Sequence, residues 1–314
     1  MKRLIWTVFA AAIATWACSS EPPGERKLRF ALIPKALDIP VFDYANKGAQ
    51  RKAAELGNVE VMYHGPDRAD ELKQKEILES FISQRFDGIA ISVLNADFLT
   101  STIDRAIDAG IPVVTWDSDA PKSKRIAFYG VDDYESGQIM GREAARLLNG
   151  KGTVALITSL GANNLARRLD GVRDELAKHP GIQIVETFDI KEDSVRTTET
   201  IAVGTLRYPN LGAWISVGGW PVFTQNALAP VPPTTKVISF DTNPPAPDLI
   251  RAGKAQVLIG QKYFGWGSES IRLLHDIVNG RRPPNPIIDS GVDVVTAENL
   301  DEYLASWARM AEGK

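Results

Sequence analysis

An α/β fold of two doubly wound parallel-sheet lobes is what this sequence predicts, and three observations carry it. Strand-like and helix-like segments trade places without interruption from Lys27 onward, the rhythm of βαβ units with helices on both faces of a parallel sheet. The same rhythm restarts after Gly130. Several strands also end on a polar side chain, at Trp116-Asp117, Phe240-Asp241 and Gly260-Gln261. Open parallel sheets bind their ligands outside the carboxyl ends of the strands.

In the first half, runs at 28–33, 59–63, 88–93 and 111–116 read as strands, because β-branched and aromatic residues suit a buried pleated surface. Residues 41–56 place apolar and small side chains at helical spacing and stop at Gly57, a residue suited to a helix C-terminus. Helices are likewise predicted over 69–85 and 96–109. Pro112 opens the strand that runs through Val113, Val114, Thr115 and Trp116 to Asp117. A strand at 126–129 closes this half. The second half predicts helices at 134–148, 164–177, 194–206, 222–228 and 247–252. They alternate with strands at 153–158, 182–185, 213–217, 236–240 and 255–259, with Asn149-Gly150 and His179-Pro180-Gly181 as breaks. No Gly-, Ser- or Pro-rich linker separates the halves, so a tight hinge near Gly130 is expected.

The length of 314 residues favours two domains, and 44% apolar residues suffice for ordinary cores. A net charge of −3 without any basic stretch argues against a nucleic-acid partner. Lys2 and Arg3 precede an apolar run over 4–14, too short to span a bilayer but suited to a secretory signal. Cys18, the only cysteine, cannot form an internal disulfide and precedes a Ser-, Pro- and Gly-bearing stretch composed like a flexible tether. The segment resembles a bacterial lipoprotein signal. That resemblance implies removal of residues 1–17, a lipid on Cys18 as the sole membrane attachment, and a tether over 18–26. The alternative is an ordinary cleavage site beside Cys18; export follows either way.

Two lobes that turn strand ends toward a shared cleft would form a site at their interface, where ligand pockets concentrate. The candidates are the residues that follow the strands. In the first half these are Lys35, Asp38 and Phe42, then His64, Asn95 and the Trp116-Asp117 pair. In the second they are Asn163, Asn164, Arg168, Trp220, Asp241 and Gln261. Carboxylates, amides, a guanidinium and rings together suit a sugar, whose hydroxyls need directed donors and acceptors while its C–H face packs on aromatics. Each has a plainer reading: Asp117 as a turn cap, Phe42 as core, Lys35 as an exposed charge, Arg168 as a surface partner of Asp170 or Asp174. His64 reads as a solvated loop residue. Trp220, between Gly219 and Pro221, has little core to fill and is expected against the ligand.

Catalytic constellations are thin. Only His64, His179 and His275 occur, with no Gly-x-Ser-x-Gly elbow, no His-Glu-x-x-His and no phosphate loop. Asp117 and Asp241 could pair as glycosidase carboxylates, yet nothing supplies the rest of such a site. Binding without chemistry, cofactor or metal is therefore expected. The two carboxylates also argue against an anionic guest, since like charges repel in a dry site.

A series of short motifs now points to a family. They are the run from Phe30 to Lys35 with Gly48-Ala49, Asp87-Gly88 with Ile89, Gly110 to Val114 with Asp117, and Gly130 to Gly137. They continue through Arg168 to Gly171, Ser239-Phe240-Asp241, Gly260-Gln261 and Ile288 to Val292. In this order, from Leu28 to the C-terminus, the chain resembles type I periplasmic sugar-binding proteins of ABC importers, in the ribose- and galactose-binding group. The resemblance implies that Asp117, Arg168, Asp241 and Gln261 hydrogen-bond sugar hydroxyls. It puts Phe42, after Pro40, in an aromatic wall, with the ligand between Trp116 or Phe42 and Trp220. It also implies three crossings between lobes spanning 27–130 plus 262–288 and 131–261 plus 289–314. Ser118 and the Gly218-Gly219 pair depart from the ribose-binding pattern, which makes ribose itself doubtful. Lys35 with Trp116 to Asp119 is similar to rhamnose- and autoinducer-2-binding members. The expected function is a monomeric extracytoplasmic solute-binding protein that hands a monosaccharide or polyol to a permease. The alternative is a receptor domain that reports a small ligand to a membrane sensor.

Overall fold

The computed structural model describes residues 26–312; the predicted signal segment and Cys18 lie outside them. The chain runs β1 (Leu28–Ile33), α1 (Val41–Leu56), β2 (Val59–Tyr63), α2 (Glu71–Ser83), β3 (Gly88–Ile91), α3 (Ala96–Asp108), β4 (Val113–Trp116) and β5 (Ala127–Gly130). It continues through α4 (Asp133–Leu147), β6 (Lys151–Thr158), α5 (Asn163–Ala177), β7 (Gly181–Asp189), α6 (Ser194–Arg207) and β8 (Ala213–Ser216). Next come α7 (Trp220–Phe223), β9 (Lys236–Phe240), α8 (Ala246–Arg251), β10 (Val257–Gly260) and α9 (Tyr263–Val278). Two short strands, β11 (Ile287–Asp289) and β12 (Asp293–Val295), precede α10 (Leu300–Glu312).

Two six-stranded sheets result, ordered β11-β5-β4-β3-β1-β2 and β12-β10-β9-β8-β6-β7. All pairs are parallel except β10 with β12. The chain therefore passes between the sheets three times: after Gly130, after Gly260 and between Asp289 and Asp293. Asp289 ties two of these passages together, since its Oδ1 accepts from the backbone N–H of Asp132 at 3.1 Å and of Gly291 at 2.9 Å. The hinge near Gly130 expected from the two-half reading is thus one of three passages.

The period of two along a strand explains the layering of the first sheet. In β1, Phe30 and Leu32 join the core under α1 and α9, while Ala31 and Ile33 join the one under α2 and α3. In β4, Val114 and Trp116 face the first core and Val113 the second. Each sheet is also covered by one helix pair in backbone contact. A methyl group on Gly48 or Gly267 would overlap a carbonyl across the α1–α9 contact, and one on Gly137 or Gly171 would do so across α4–α5. Glycine at these positions sets how deeply α1 and α5 sit against their neighbours.

Three predicted elements differ. α2 begins later than residue 69 because Asp70 caps it, accepting from the Lys73 backbone N–H at 2.9 Å. The helix predicted over 222–228 is the four-residue α7, which starts at Trp220 with Pro221 in its first turn and ends in turns around Asn226, whose φ is +60°. Finally, β7 extends to Asp189 instead of stopping at 185, following the whole of β6 past a register shift at Val154/Ala155. The tail helix α10 touches both halves: Trp307 packs on Tyr44 and Phe264, while Tyr303 Oη meets Thr242 Oγ1 at 2.5 Å.

Candidate functional site

A small cavity of about 40 Å³ lies between the carboxyl ends of the two sheets. A larger hollow, about 550 Å³, sits at the opposite end of the first sheet, around Leu28, Phe86 and Pro112. Its one carboxylate, Asp87, is committed to Arg26 and to the Arg29 backbone N–H. Chemistry gathers in the smaller space.

From the first lobe, Lys35 follows β1 and is 3% exposed. Its Nζ donates to Asn164 Oδ1 at 3.1 Å and lies 3.6 Å from Asp117 Oδ2 and 3.7 Å from Glu192 Oε1. Asp117 follows β4 with φ of +58°, and its Oδ2 accepts from Ser92 Oγ at 2.6 Å. Phe42 and Trp266 supply ring surface, their centroids 6.0 Å apart.

From the second lobe, Arg168 projects from α5. Its Nε donates to Asp133 Oδ1 at 2.8 Å, Nη1 to the Val217 carbonyl at 3.2 Å and Nη2 to Gln261 Oε1 at 3.0 Å. The guanidinium also stacks 3.7 Å from the Phe240 ring centroid. Gln261 Nε2 and Tyr263 Oη each donate to Asp241 Oδ1 at 3.0 Å. Asp241 has φ of +73°, and a side chain on Gly219 would overlap its carboxylate, so glycine there keeps the acid in place. Trp220 Nε1 donates to Glu192 Oε2 at 3.0 Å, and Glu192 has φ of +57°. Three cavity carboxylates thus stand on left-handed backbone, which non-glycine residues rarely adopt and which concentrates at functional sites. Burial, opposed by Arg168, pushes the Asp133 carboxyl up to about 6. Burial also raises Glu192, against the pull of Lys35, and Asp241, against its hydrogen bond from Gln261.

Eight of the predicted residues meet at this cavity: Lys35, Phe42, Asp117, Asn164, Arg168, Trp220, Asp241 and Gln261. Asn164 joins the lobes, accepting from Lys35 and donating to Asp117 Oδ1 at 3.4 Å. Arg168 pairs with Asp133 rather than Asp170 or Asp174; Asp174 instead accepts from Tyr134 Oη. Trp220 lines the cavity but is also core, only 3% exposed, so the expectation of a bare turn aromatic is corrected. Two predicted residues lie outside the cavity lining. Trp116 is fully buried behind the wall, edge-on to Phe42 with centroids 5.4 Å apart, because strand alternation turns it into the core beneath α1 and α9. Asp38 is exposed and outside the lining, carried past the cavity by the turn that leads into α1. His64 is exposed, and Asn95 is spent capping α3.

Sequence reasoning missed Glu192, Asp133 and Trp266. Glu192 follows the true end of β7 closely, so a correct strand length would have found it by the rule that found Asp117. Asp133 stands inside the quoted motif from Gly130 to Gly137. Trp266 belongs to a helix whose side-chain direction only the third dimension fixes. Chemically, the arrangement offers hydrogen-bond acceptors, two cations and ring faces in a largely buried space.

Comparison with known proteins agrees with this fold. A solute-binding protein of an ABC transporter from Burkholderia graminis, solved with D-arabinose, is 34% identical and superposes with a TM-score of 0.82 over 88% of this chain and 98% of its own. A D-ribose/D-allose-binding protein of Pseudomonas aeruginosa is 23% identical over 95% of this chain and its whole length. A xylose/arabinose-binding protein of Sulfolobus acidocaldarius is 27% identical over 51% of this chain, a match that spans only 42% of that protein. These relatives are sugar-binding transport proteins, and periplasmic binding proteins of ABC importers work outside the cytoplasm. The model of the periplasmic binding protein domain matches residues 30–282, and the chain belongs to that family, as a type I sugar-binding member.

Proposed function

We propose that this protein captures a monosaccharide or related polyol between its lobes and delivers it, unaltered, to an ABC importer. One observation carries the reading: acceptors and donors from both lobes, already hydrogen-bonded to one another, converge on a single cavity walled by Phe42, Trp220 and Trp266. Such a lattice holds its donors and acceptors in fixed directions for hydroxyls that enter when the lobes part, which favours reversible binding. Of the ten residues expected at the site, eight contribute: Lys35, Asn164, Arg168, Asp117, Asp241 and Gln261 direct hydroxyls, and Phe42 and Trp220 pack against the ring.

Residues 27–130 plus 262–288 and 131–261 plus 289–314 move as two bodies about the three passages, with α10 as a tail touching both. Ligand shifts the population toward the closed form, and that form engages the permease. The protein acts as an exported monomer, held to the membrane through a lipid on Cys18. A thermal-shift panel of pentoses, hexoses, deoxysugars and polyols tests the reading. A true ligand at about a hundred times its Kd adds about 2.7 kcal/mol of stability. A panel without any shift would remove the function.

A further inference from the structure

The charges around the cavity do not balance. Asp117, Glu192 and Asp241 face it, and Asp133 stands directly behind Arg168. Against these four carboxylates there are two cations, Lys35 and Arg168. Arg168 gives three of its five N–H groups to Asp133, the Val217 carbonyl and Gln261, and its charge is paired with Asp133. Lys35 divides its charge between Asp117 and Glu192. Asp241 has no cation within ion-pair distance among the described residues; its partners are an amide and a phenol. Glu192, with a side chain 7% exposed, keeps Oε1 without any hydrogen bond. Among the described residues, no three acids, histidines or cysteines converge as metal ligands, so the excess is spread round the cavity.

A neutral polyol would satisfy lone pairs but leave this excess negative charge in a dry space, where uncompensated charge is costly. Resting on the sugar-binding reading above, we infer that the guest is a polyol bearing one ammonium group, an amino sugar or amino-deoxy polyol, with the ammonium held by Glu192 and Asp241. Each N–H of such a group makes a charge-assisted bond to a carboxylate, stronger than the bond from a hydroxyl.

Titration calorimetry at neutral pH tests this with matched triples. The probes are 2-amino-2-deoxyglucose, 2-amino-2-deoxygalactose, 3-amino-3-deoxyglucose and amino-deoxyinositol, each beside its parent hydroxyl compound and its N-acetyl derivative. At least one amine is expected to bind about tenfold or more tighter than both its neutral counterparts, the size of one added charge-assisted bond. Glu192→Gln and Asp241→Asn should each erase most of that ratio. If neutral sugars bind as well as or better than every amine, the ammonium inference is overturned and the sugar-binding function stands. If an amine preference survives both substitutions, the assignment of the charge to these carboxylates is overturned. If no triple and no simple sugar binds, the function itself fails and the inference falls with it.

Discussion

Phe42 and Trp266 of the first lobe line the cavity with buried ring surface, backed by Trp116, whereas Arg168, Gln261 and Asp241 of the second meet it as a chain of directed hydrogen bonds. Ring faces attract without strict direction and are held by the core behind them. The chain is directional and depends on every link, because a buried polar group left unpaired costs more than its bond contributed. On the proposed reading, the first lobe would supply most of the contact area, and the second-lobe chain would do most to decide which hydroxyls fit. Lys35, Asp117 and Asn164 stitch the two together.

The largest way to break this division is Arg168→Ala. It strips a buried pair and leaves Asp133 uncompensated, so urea unfolding should show a loss of about 3–5 kcal/mol, and sugar binding should vanish. Trp116→Ala should cost a similar 3–5 kcal/mol or so through the cavity it opens, yet change affinity little, because the ring lies behind the wall. An affinity loss there as large as that of a second-lobe variant would contradict the division. Asp241→Asn sharpens it from the other side. The variant keeps its shape and sheds a buried charge, so stability should hold or rise while affinity falls about 10–100-fold by calorimetry, the worth of one charged hydrogen bond.

A smaller effect concerns pH. Asp133 titrates near 6 in the folded chain, above its ordinary carboxylate value, and Glu192 and Asp241 are raised too. An acid with a raised folded pKa binds more protons when folded than when unfolded. Its contribution to stability is fully present below the unfolded value and is lost as pH rises through about 6. The ligand-free protein should accordingly gain stability between pH 7 and pH 5, with a shallower slope in Asp241→Asn. Smallest of all is Asp38→Ala, exposed and outside the lining, which should stay within about 0.5 kcal/mol in stability and leave affinity unchanged.

The same contrast explains what the sequence made legible. Lys35, Asp117, Asp241 and Gln261 were readable because each follows a strand whose apolar run ends abruptly, and the parallel sheet turns that end toward the ligand. Glu192 escaped because β7 is the edge strand of its sheet. Its outer half, through Glu186 and Thr187, is partly exposed and lacks the apolar signature that marks the central strands. Trp116 was misplaced by proximity: one residue before Asp117, it faces the opposite way, since left-handed backbone at Asp117 ends the strand and lets the acid alone turn into the cavity. Trp266 was missed because, although the family resemblance places 262–288 in the first lobe, which face of α9 turns to the cavity depends on its packing against α1.

Central to all this is that both lobes grip one guest and release it unchanged. Calorimetric titration of the tightest-binding sugar or amino sugar into the wild type, Asp117→Asn and Asp241→Asn, with the guest recovered for NMR, tests that most directly. The account predicts one site per chain, a loss of affinity of about tenfold or more in each variant, and an unaltered guest. Affinity that depends on only one of the two lobes, or a guest recovered as a different compound, would contradict it.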